Sequence, residues 1–131
     1  MYLPGRTLFV RETINGWVPR IRPRLMNEIS VQQLKRRLDL RDDLQLVDVR
    51  DPHEYEICRL RNAVHIPLDR LPSSYGRIER TKPVVVYCHH GIRSAVAIAY
   101  LSDTHGFHNL YNLEGGIHAW AVEIDGSMLC Y

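Results

Sequence analysis

The sequence predicts an α/β domain in which helices cover both faces of a parallel sheet. Three observations lead to this fold class. The 131 residues suit one domain with its own buried core. Short apolar runs and segments of helical periodicity alternate four or five times along most of the chain. The strongest apolar run, residues 83–88, leads directly into a glycine-containing loop and a helix, and sites in such sheets lie where strands end.

The first predicted elements are a strand and a capped helix. Residues 28–29 form a short strand, and Ser30 follows as a helix N-cap, because a serine side chain can accept a hydrogen bond from a free N–H group of the first turn. Val31 and Leu34 recur at helical spacing and place one apolar face toward the core. We expect this helix to end near residues 41–43.

The middle of the chain predicts two more strands and two short helices. Residues 44–49 form an apolar run typical of a buried parallel strand. Pro52 opens the next helix, since proline is well tolerated in a first helical turn. A small strand over residues 63–66 follows, and residues 68–80 predict a short helix and loop.

The last part predicts the strongest strand of the sheet. Residues 83–88 are rich in valine and flanked by turn residues. Residues 89–93 form a loop, and residues 94–102 form a helix with a wide apolar face. A strand over residues 109–113 and a helix over residues 117–124 complete the alternation.

Charge divides the chain unequally. Residues 1–27 contain five arginines and one glutamate, whereas the remaining residues carry more acidic than basic groups. We therefore expect an arginine-rich leader or linker over residues 1–27, in which only residues 7–10 suit a short strand. A domain follows over residues 28–126, with a tail over residues 127–131. A solvated leader is favoured over one that contacts RNA or an acidic partner, and the domain carries no nucleic-acid surface.

Cysteine number and apolar run length indicate a compartment. Three cysteines, an odd number, together with no export signal in the first residues, predict a reducing environment and thus the cytoplasm. The longest apolar stretches have five or six residues, and a bilayer-spanning helix needs about 20. No membrane segment is expected.

The loop after the strongest strand carries the candidate chemistry. It contains the candidate nucleophile Cys88 and the candidate substrate-binding residues His89, His90, Gly91, Ile92, Arg93 and Ser94. A cysteine between a strand and a helix N-terminus faces backbone N–H groups and the positive end of the helix dipole, which favour the thiolate. Arg93 adds a positive charge suited to an oxyanion, and Gly91 lets N–H groups point inward. This interpretation requires Cys88 to be reachable from solvent.

Two other interpretations of Cys88 compete with this one. A free cysteine taken alone is more often a small buried hydrophobe, but the glycine, arginine and helix start at these offsets favour a nucleophile. A metal site at Cys88, His89 and His90 is disfavoured, because adjacent residues rarely converge on one ion and no CxxC or HxxxH partner follows. We expect the two histidines to shape the loop and its charge, with no metal or cofactor.

Four stretches in order resemble a single rhodanese domain, from Glu28 to about Asp125. They are Leu-Val-Asp-Val-Arg at 46–50 followed by His-Glu-Tyr at 53–55, Val-His-Ile-Pro-Leu at 64–68, the 88–94 loop, and Asn-Leu-Glu-Gly-Gly-Ile-His-Ala-Trp at 112–120. The resemblance implies a five-stranded parallel sheet flanked by helices. It also implies that Cys88 takes up sulfur.

The resemblance implies a sulfurtransferase reaction. The Cys88 thiolate attacks the outer sulfur of thiosulfate or of a protein persulfide, and a thiophilic acceptor then takes that sulfur from a persulfide on Cys88. Arg93 either holds the oxyanion of the donor or braces the loop. Asp48 and Arg50 match the strand-end pair of the family as supporting residues, and a fold-holding ion pair is favoured over a role at the loop entrance.

Two alternative functions have sequence arguments of their own. Phosphatases of related architecture place five residues between cysteine and arginine, whereas four separate Cys88 from Arg93, which suits a sulfur atom better than a phosphate. A non-enzymatic module that binds a partner or senses persulfides is the second alternative, and the arginine-rich leader motivates it.

The last twelve residues resemble the end of rhodanese domains fused to adenylating enzymes of molybdopterin and thiamine biosynthesis. This resemblance implies a sulfur-carrier or adenylating protein as a partner, although no nucleotide-binding glycine motif occurs in the sequence. Gly126 and Leu129 stand where that group has prolines. Cys58 and Cys130 are expected to be inert thiols rather than resolving thiols for Cys88.

Overall fold

A single parallel sheet organises the computed structural model, which describes residues 14–17, 26–128 and 131. Its strands are β1 (Glu28–Ile29), β2 (Gln45–Asp48), β3 (Val64–His65), β4 (Val84–Tyr87) and β5 (Leu110–Leu113). They lie in the order β1-β5-β4-β2-β3, and every pair is parallel. The predicted fold class is therefore confirmed.

Helices cover both faces of this sheet. They are α1 (Val31–Asp39), α2 (Pro52–Ile57), α3 (Leu71–Ser74, between 3₁₀ turns at Leu68–Arg70 and Tyr75–Arg77), α4 (Ile92–His105) and α5 (Gly116–Glu123). Successive β4 side chains point to opposite faces, so Val85 packs with α1 and α5 while Val84 and Val86 pack with α3 and α4. The central strand β4 is buried on both sides, as its unbroken apolar run predicts.

Helices α1 and α4 differ from their predicted boundaries. Ser30 caps α1 in a reciprocal capping box with Gln33, but the helix ends at Asp39, before the predicted end. The predicted helix over 94–102 is longer at both ends, because it begins directly after Gly91 and runs to Gly106. Both glycines have positive φ, +108° and +70°, which few other residues adopt.

Part of the predicted leader packs into the core. Ile14 is fully buried within the cluster on the α4 face, and the ring of Trp17 meets Tyr100 edge-on at 5.5 Å. The remaining described residues of the leader are few, and the strand suggested for residues 7–10 lies outside the described ranges. Within those ranges, no helix is both long enough and apolar enough to cross a bilayer.

Candidate active site

Cys88 lies at the carboxyl edge of the sheet, directly after β4. The chain turns through residues 89–91 and enters α4 at Ile92. The left-handed conformation of Gly91 makes this tight turn possible. Cys88 therefore stands between a strand end and a helix N-terminus, the position that the alternation of elements predicts.

Backbone N–H groups are directed at the sulfur of Cys88. The Sγ atom accepts hydrogen bonds from the N–H of Gly91 at 3.1 Å and from the N–H of Ser94 at 3.3 Å. The hydroxyl of Ser94 lies 3.4 Å from the sulfur and donates its proton to Asn112 Oδ1. Because this proton is used in the bond to Asn112, the Ser94 hydroxyl can only accept a hydrogen bond from the sulfur. The backbone N–H groups of Gly91 and Ser94 are therefore the donors available to a Cys88 thiolate.

Strand β5 and helix α5 hold the loop in this conformation. The N–H groups of Ile117 and His118 donate to the carbonyl oxygens of Cys88 and His89 at 2.9 and 3.0 Å. A Cβ atom at Gly116 would overlap these two oxygens, and Gly116 also has a φ of +61°, so glycine is required here. These bonds help to fix the loop in the conformation in which the N–H groups of Gly91 and Ser94 face the sulfur.

Arg93 is bound to Glu54 on α2. Its two terminal nitrogens donate to the two carboxylate oxygens at 2.6 and 2.9 Å. Glu54 also accepts hydrogen bonds from the backbone of Asp51 and from the hydroxyl of Tyr131. Burial of Glu54 opposes ionisation, but the hydrogen bonds from Arg93 and Tyr131 outweigh it and lower the pKa to about 2. The hydrogen bonds to Glu54 raise the pKa of Arg93, so this pair stays charged.

A second ion pair lies beneath the first. Arg50 and Asp48 are fully buried and form an ion pair, with Nη2 and Oδ2 2.7 Å apart. A fold-holding role for this pair, which the sequence favours, stays a prediction. Arg50 also donates to the carbonyl oxygens of Glu54 and Cys58 and to the Tyr131 hydroxyl. Burial works against its charge, but the hydrogen bonds to Asp48 and Tyr131 raise the pKa of Arg50 nevertheless. Both ion pairs thus meet at Tyr131.

Aromatic rings crowd the other side of the loop. The ring of His89 stacks on Tyr131 and meets the ring of His90 at a tilt of 37°, both with centroids 4.0 Å apart. His118 on α5 lies 4.8 Å from His90 and 5.8 Å from His89, centroid to centroid. Burial, with the neighbouring His90, lowers the pKa of His89, so its imidazole is predominantly neutral at physiological pH. One ring nitrogen of each histidine lies within 4.8 Å of the other two, a spacing at which they could hold a metal ion.

The sulfur itself is enclosed. Cys88 is 1% exposed, whereas His90 and Ile92 of the same loop are exposed to solvent. The expectation that Cys88 is reachable from solvent is therefore wrong for this conformation. The reason is that the loop closes over the sulfur in order to present its N–H groups, while α5 packs against the loop carbonyls.

Three residues that contact the Cys88 loop or its ion pairs were not predicted as site residues from the sequence. Glu54 has a local signal, because it stands three residues after the helix N-cap Asp51 in a capping box, yet its partner Arg93 is 39 residues away. Asn112 links the Ser94 hydroxyl to the Gly91 carbonyl from strand β5. Tyr131 reaches the site from the tail. None of these contacts has a sequence spacing that would reveal it.

The fold and the loop together define a cysteine-loop domain, and comparison with known proteins identifies its family. Residues 30–123 match the Rhodanese-like domain family, so the chain belongs to that family and the sequence resemblance is confirmed. A sulfurtransferase of Allochromatium vinosum is 38% identical over 97 residues, which cover 74% of this chain and 90% of that protein. A structure of a rhodanese-related protein from Thermoplasma volcanium has a TM-score of 0.67 and 33% identity, covering 75% of this chain and 93% of that one.

A further relative is larger than this chain. The probable adenylyltransferase/sulfurtransferase MoeZ of Mycobacterium tuberculosis is 36% identical over 105 residues, which cover 79% of this chain but 26% of that protein. Since this chain belongs to the rhodanese-like family, the shared part is the rhodanese portion of that protein. Taken together, the family and its sulfurtransferase relatives support a transferase role for this chain.

Proposed function

We propose that this chain is a sulfurtransferase that carries sulfane sulfur as a persulfide on Cys88. The observation that carries the proposal is the pair of backbone N–H groups on Sγ, at 3.1 Å from Gly91 and 3.3 Å from Ser94. Fixed N–H dipoles stabilise a negative sulfur at little reorganisation cost, because the fold already orients them. A thiolate at the floor of the loop is the nucleophile that sulfur transfer needs.

With thiosulfate as donor, the reaction has two balanced steps. The Cys88 thiolate attacks the outer sulfur of thiosulfate, a new S–S bond forms, the old S–S bond breaks, and sulfite leaves with the bonding pair. An acceptor such as cyanide then attacks the outer sulfur of the Cys88 persulfide and leaves as thiocyanate, which restores the thiolate. No redox partner is needed, since the donor and acceptor balance the electrons.

Arg93 acts in this proposal as a brace of the loop. Both of its terminal nitrogens are engaged by the carboxylate of Glu54, which is itself held by Asp51 and Tyr131. Releasing Arg93 to bind the oxyanion of a donor would leave the buried Glu54 without its main cationic partner. The guanidinium therefore contributes positive potential near the sulfur while it fixes the first turn of α4.

Access to the sulfur requires motion. Because Cys88 is 1% exposed, a donor reaches it only after the side chains at the mouth of the loop move aside. His90 and Ile92 are the exposed members of the loop and have the freedom to do so. We expect this opening to limit the rate of the first step for a bulky donor more than for thiosulfate.

Intact-mass analysis of the full chain after incubation with thiosulfate tests the proposal. The wild type should gain the mass of one sulfur atom, and added cyanide should remove it as thiocyanate. Cys88→Ser should gain none, whereas Cys58→Ser should behave as the wild type, because Cys58 has no part in the reaction. Equal sulfur uptake by the wild type and Cys88→Ser would contradict the proposal.

A non-enzymatic, partner-binding or persulfide-sensing module is the second candidate, and the enclosure of Cys88 favours it. For that function the loop would recognise a partner while its sulfur stays buried. The same mass experiment separates the two, since a pure binding module gains no sulfur from thiosulfate or from a protein persulfide.

The physiological partner that we propose is a sulfur-carrier or adenylating protein. Its support is the relative whose printed name joins adenylyltransferase and sulfurtransferase activities, of which this chain matches the rhodanese portion. We place the reaction in a reducing compartment such as the cytoplasm, because the cycle returns Cys88 to a free thiolate.

A further inference from the structure

We propose that His89, His90 and His118 form a three-histidine site for a divalent transition-metal ion of the zinc type. The convergence of three imidazoles from two different elements carries the proposal. His89 and His90 come from the loop after β4, and His118 comes from the first turns of α5. One ring nitrogen of each lies within 4.8 Å of the other two.

A buried nitrogen in this cluster points to a ligand. Nε2 of His89 is shielded from solvent and has no hydrogen-bond partner among the described residues. Buried polar atoms nearly always have a partner, so an orphan atom in a well-packed site calls for a water or an ion. Imidazole nitrogen is among the preferred ligand atoms of zinc, and three histidines with an open fourth position form a known zinc-binding set.

Backbone hydrogen bonds hold together the two elements that carry the ligands. The N–H of His118 donates to the carbonyl of His89 at 3.0 Å, and the neighbouring Ile117 N–H binds the Cys88 carbonyl. Gly116 allows this close approach of α5 to the loop. Zinc–nitrogen bonds of about 2.0–2.1 Å place tetrahedral ligands about 3.4 Å apart, so the rings must close by roughly 1.4 Å at most. Side-chain rotation supplies such a movement without a change of fold.

The chemistry of the cluster selects the class of ion. Three imidazoles and no carboxylate among the set disfavour magnesium and calcium, which prefer oxygen ligands. Zinc, copper, nickel and cobalt prefer imidazole. Adjacent residues rarely converge on one ion, but here a ring nitrogen of His89 and one of His90 lie within 4.8 Å of each other. The fold adds His118, which is 28 or more residues distant in sequence, at the same spacing.

Zinc titration of the metal-free full chain by calorimetry tests the site. Cys88→Ser is used as the background, because a thiolate at that position would itself bind zinc. We expect this background protein to bind one zinc ion per chain. Adding His118→Ala should weaken binding by at least about 10- to 100-fold, the loss that even an outer-shell partner produces. His108→Ala in the same background is the matched control, because it removes an exposed histidine outside the cluster and should leave the affinity unchanged.

A second variant protects the test against misfolding. His90→Asn changes an exposed side chain and should cause the same loss of zinc affinity as His118→Ala, with an unchanged thermal transition in metal-free buffer. Zinc binding that survives both histidine variants, or the absence of saturable binding in the Cys88→Ser background, would overturn the proposal. Neither result bears on sulfur uptake by Cys88, so the two proposals fail or stand separately.

Discussion

The two sides of the Cys88 loop differ in how fully their polar groups are hydrogen-bonded. On one side, the ion pairs Asp48–Arg50 and Glu54–Arg93 satisfy their charges with several hydrogen bonds each, and Tyr131 joins them. On the other side, the rings of His89, His90 and His118 crowd together, and one buried nitrogen has no partner among the described residues. The first side is complete within the protein, whereas on the second the buried Nε2 of His89 is still without a partner in the part of the chain that the structure describes.

This difference separates structural from ligand-binding roles. A buried ion pair whose hydrogen bonds are all made is costly to break, because removal of one partner leaves an uncompensated charge. The three histidine rings contact one another in tilted and edge-on arrangements, and His90 is exposed, so we expect them to contribute less to the folding free energy than the buried ion pairs. We therefore expect the ion-pair side to determine stability and the histidine side to determine what the loop binds.

Replacement of Arg50 by alanine should cause the largest loss in the free energy of unfolding. The carboxylate of Asp48 would remain fully buried without its cation, so we expect a loss of about 3–5 kcal/mol in the free energy of unfolding. Denaturant unfolding monitored by circular dichroism measures it. Arg59→Ala is the matched control, since Arg59 is exposed and its loss should cost under about 1 kcal/mol. Equal losses for the two variants would mean that the buried ion pair contributes no more to stability than an exposed arginine does.

The pH dependence of the free energy of unfolding should show the contribution of the ionised Glu54 side chain. Its pKa is lowered from 4.5 to about 2 in the folded state, so its contribution is fully present above about pH 4.5 and disappears as the pH falls through about 2. The lowering corresponds to about 3 kcal/mol at neutral pH. The unfolding free energies of the wild type and Glu54→Gln should therefore differ at pH 7 and converge toward pH 2.

Glu56→Gln controls for the loss of one negative charge on α2, because the side chain of Glu56 is exposed on the same helix. A gap between wild type and Glu54→Gln that stays constant from pH 7 to pH 3 would show that the Glu54–Arg93 pair has no part in the stability.

Substitution of His90 should give the smallest effect. Because His90 is exposed, His90→Asn should change the free energy of unfolding of the metal-free chain by less than about 0.5 kcal/mol. The same denaturant measurement applies. A loss as large as that of Arg50→Ala would mean that the histidine side also carries the fold, and the contrast between the two sides would disappear.

Local patterns account for most of the architecture. The apolar run of β4, the serine cap of α1 and the glycines that bound α4 each act over a few residues, so the sequence contains their full cause. The helix ends were harder to predict, since α4 continues until Gly106 rather than stopping where its apolar face does. The burial of Ile14 could not be predicted either, because the burial of an isolated residue depends on a surface formed elsewhere in the chain.

The amino-acid sequence by itself determined the alternation of strands and helices, the family, and the position of Cys88 between a strand and a helix. Tertiary structure alone decided that Arg93 binds Glu54, that Tyr131 joins both ion pairs, and that His118 meets the loop histidines. Strands and caps arise from neighbours along the chain, whereas these contacts join residues 28 or more positions apart. Such pairs have no periodicity in the sequence, so only the packing of the sheet and its helices can bring them together.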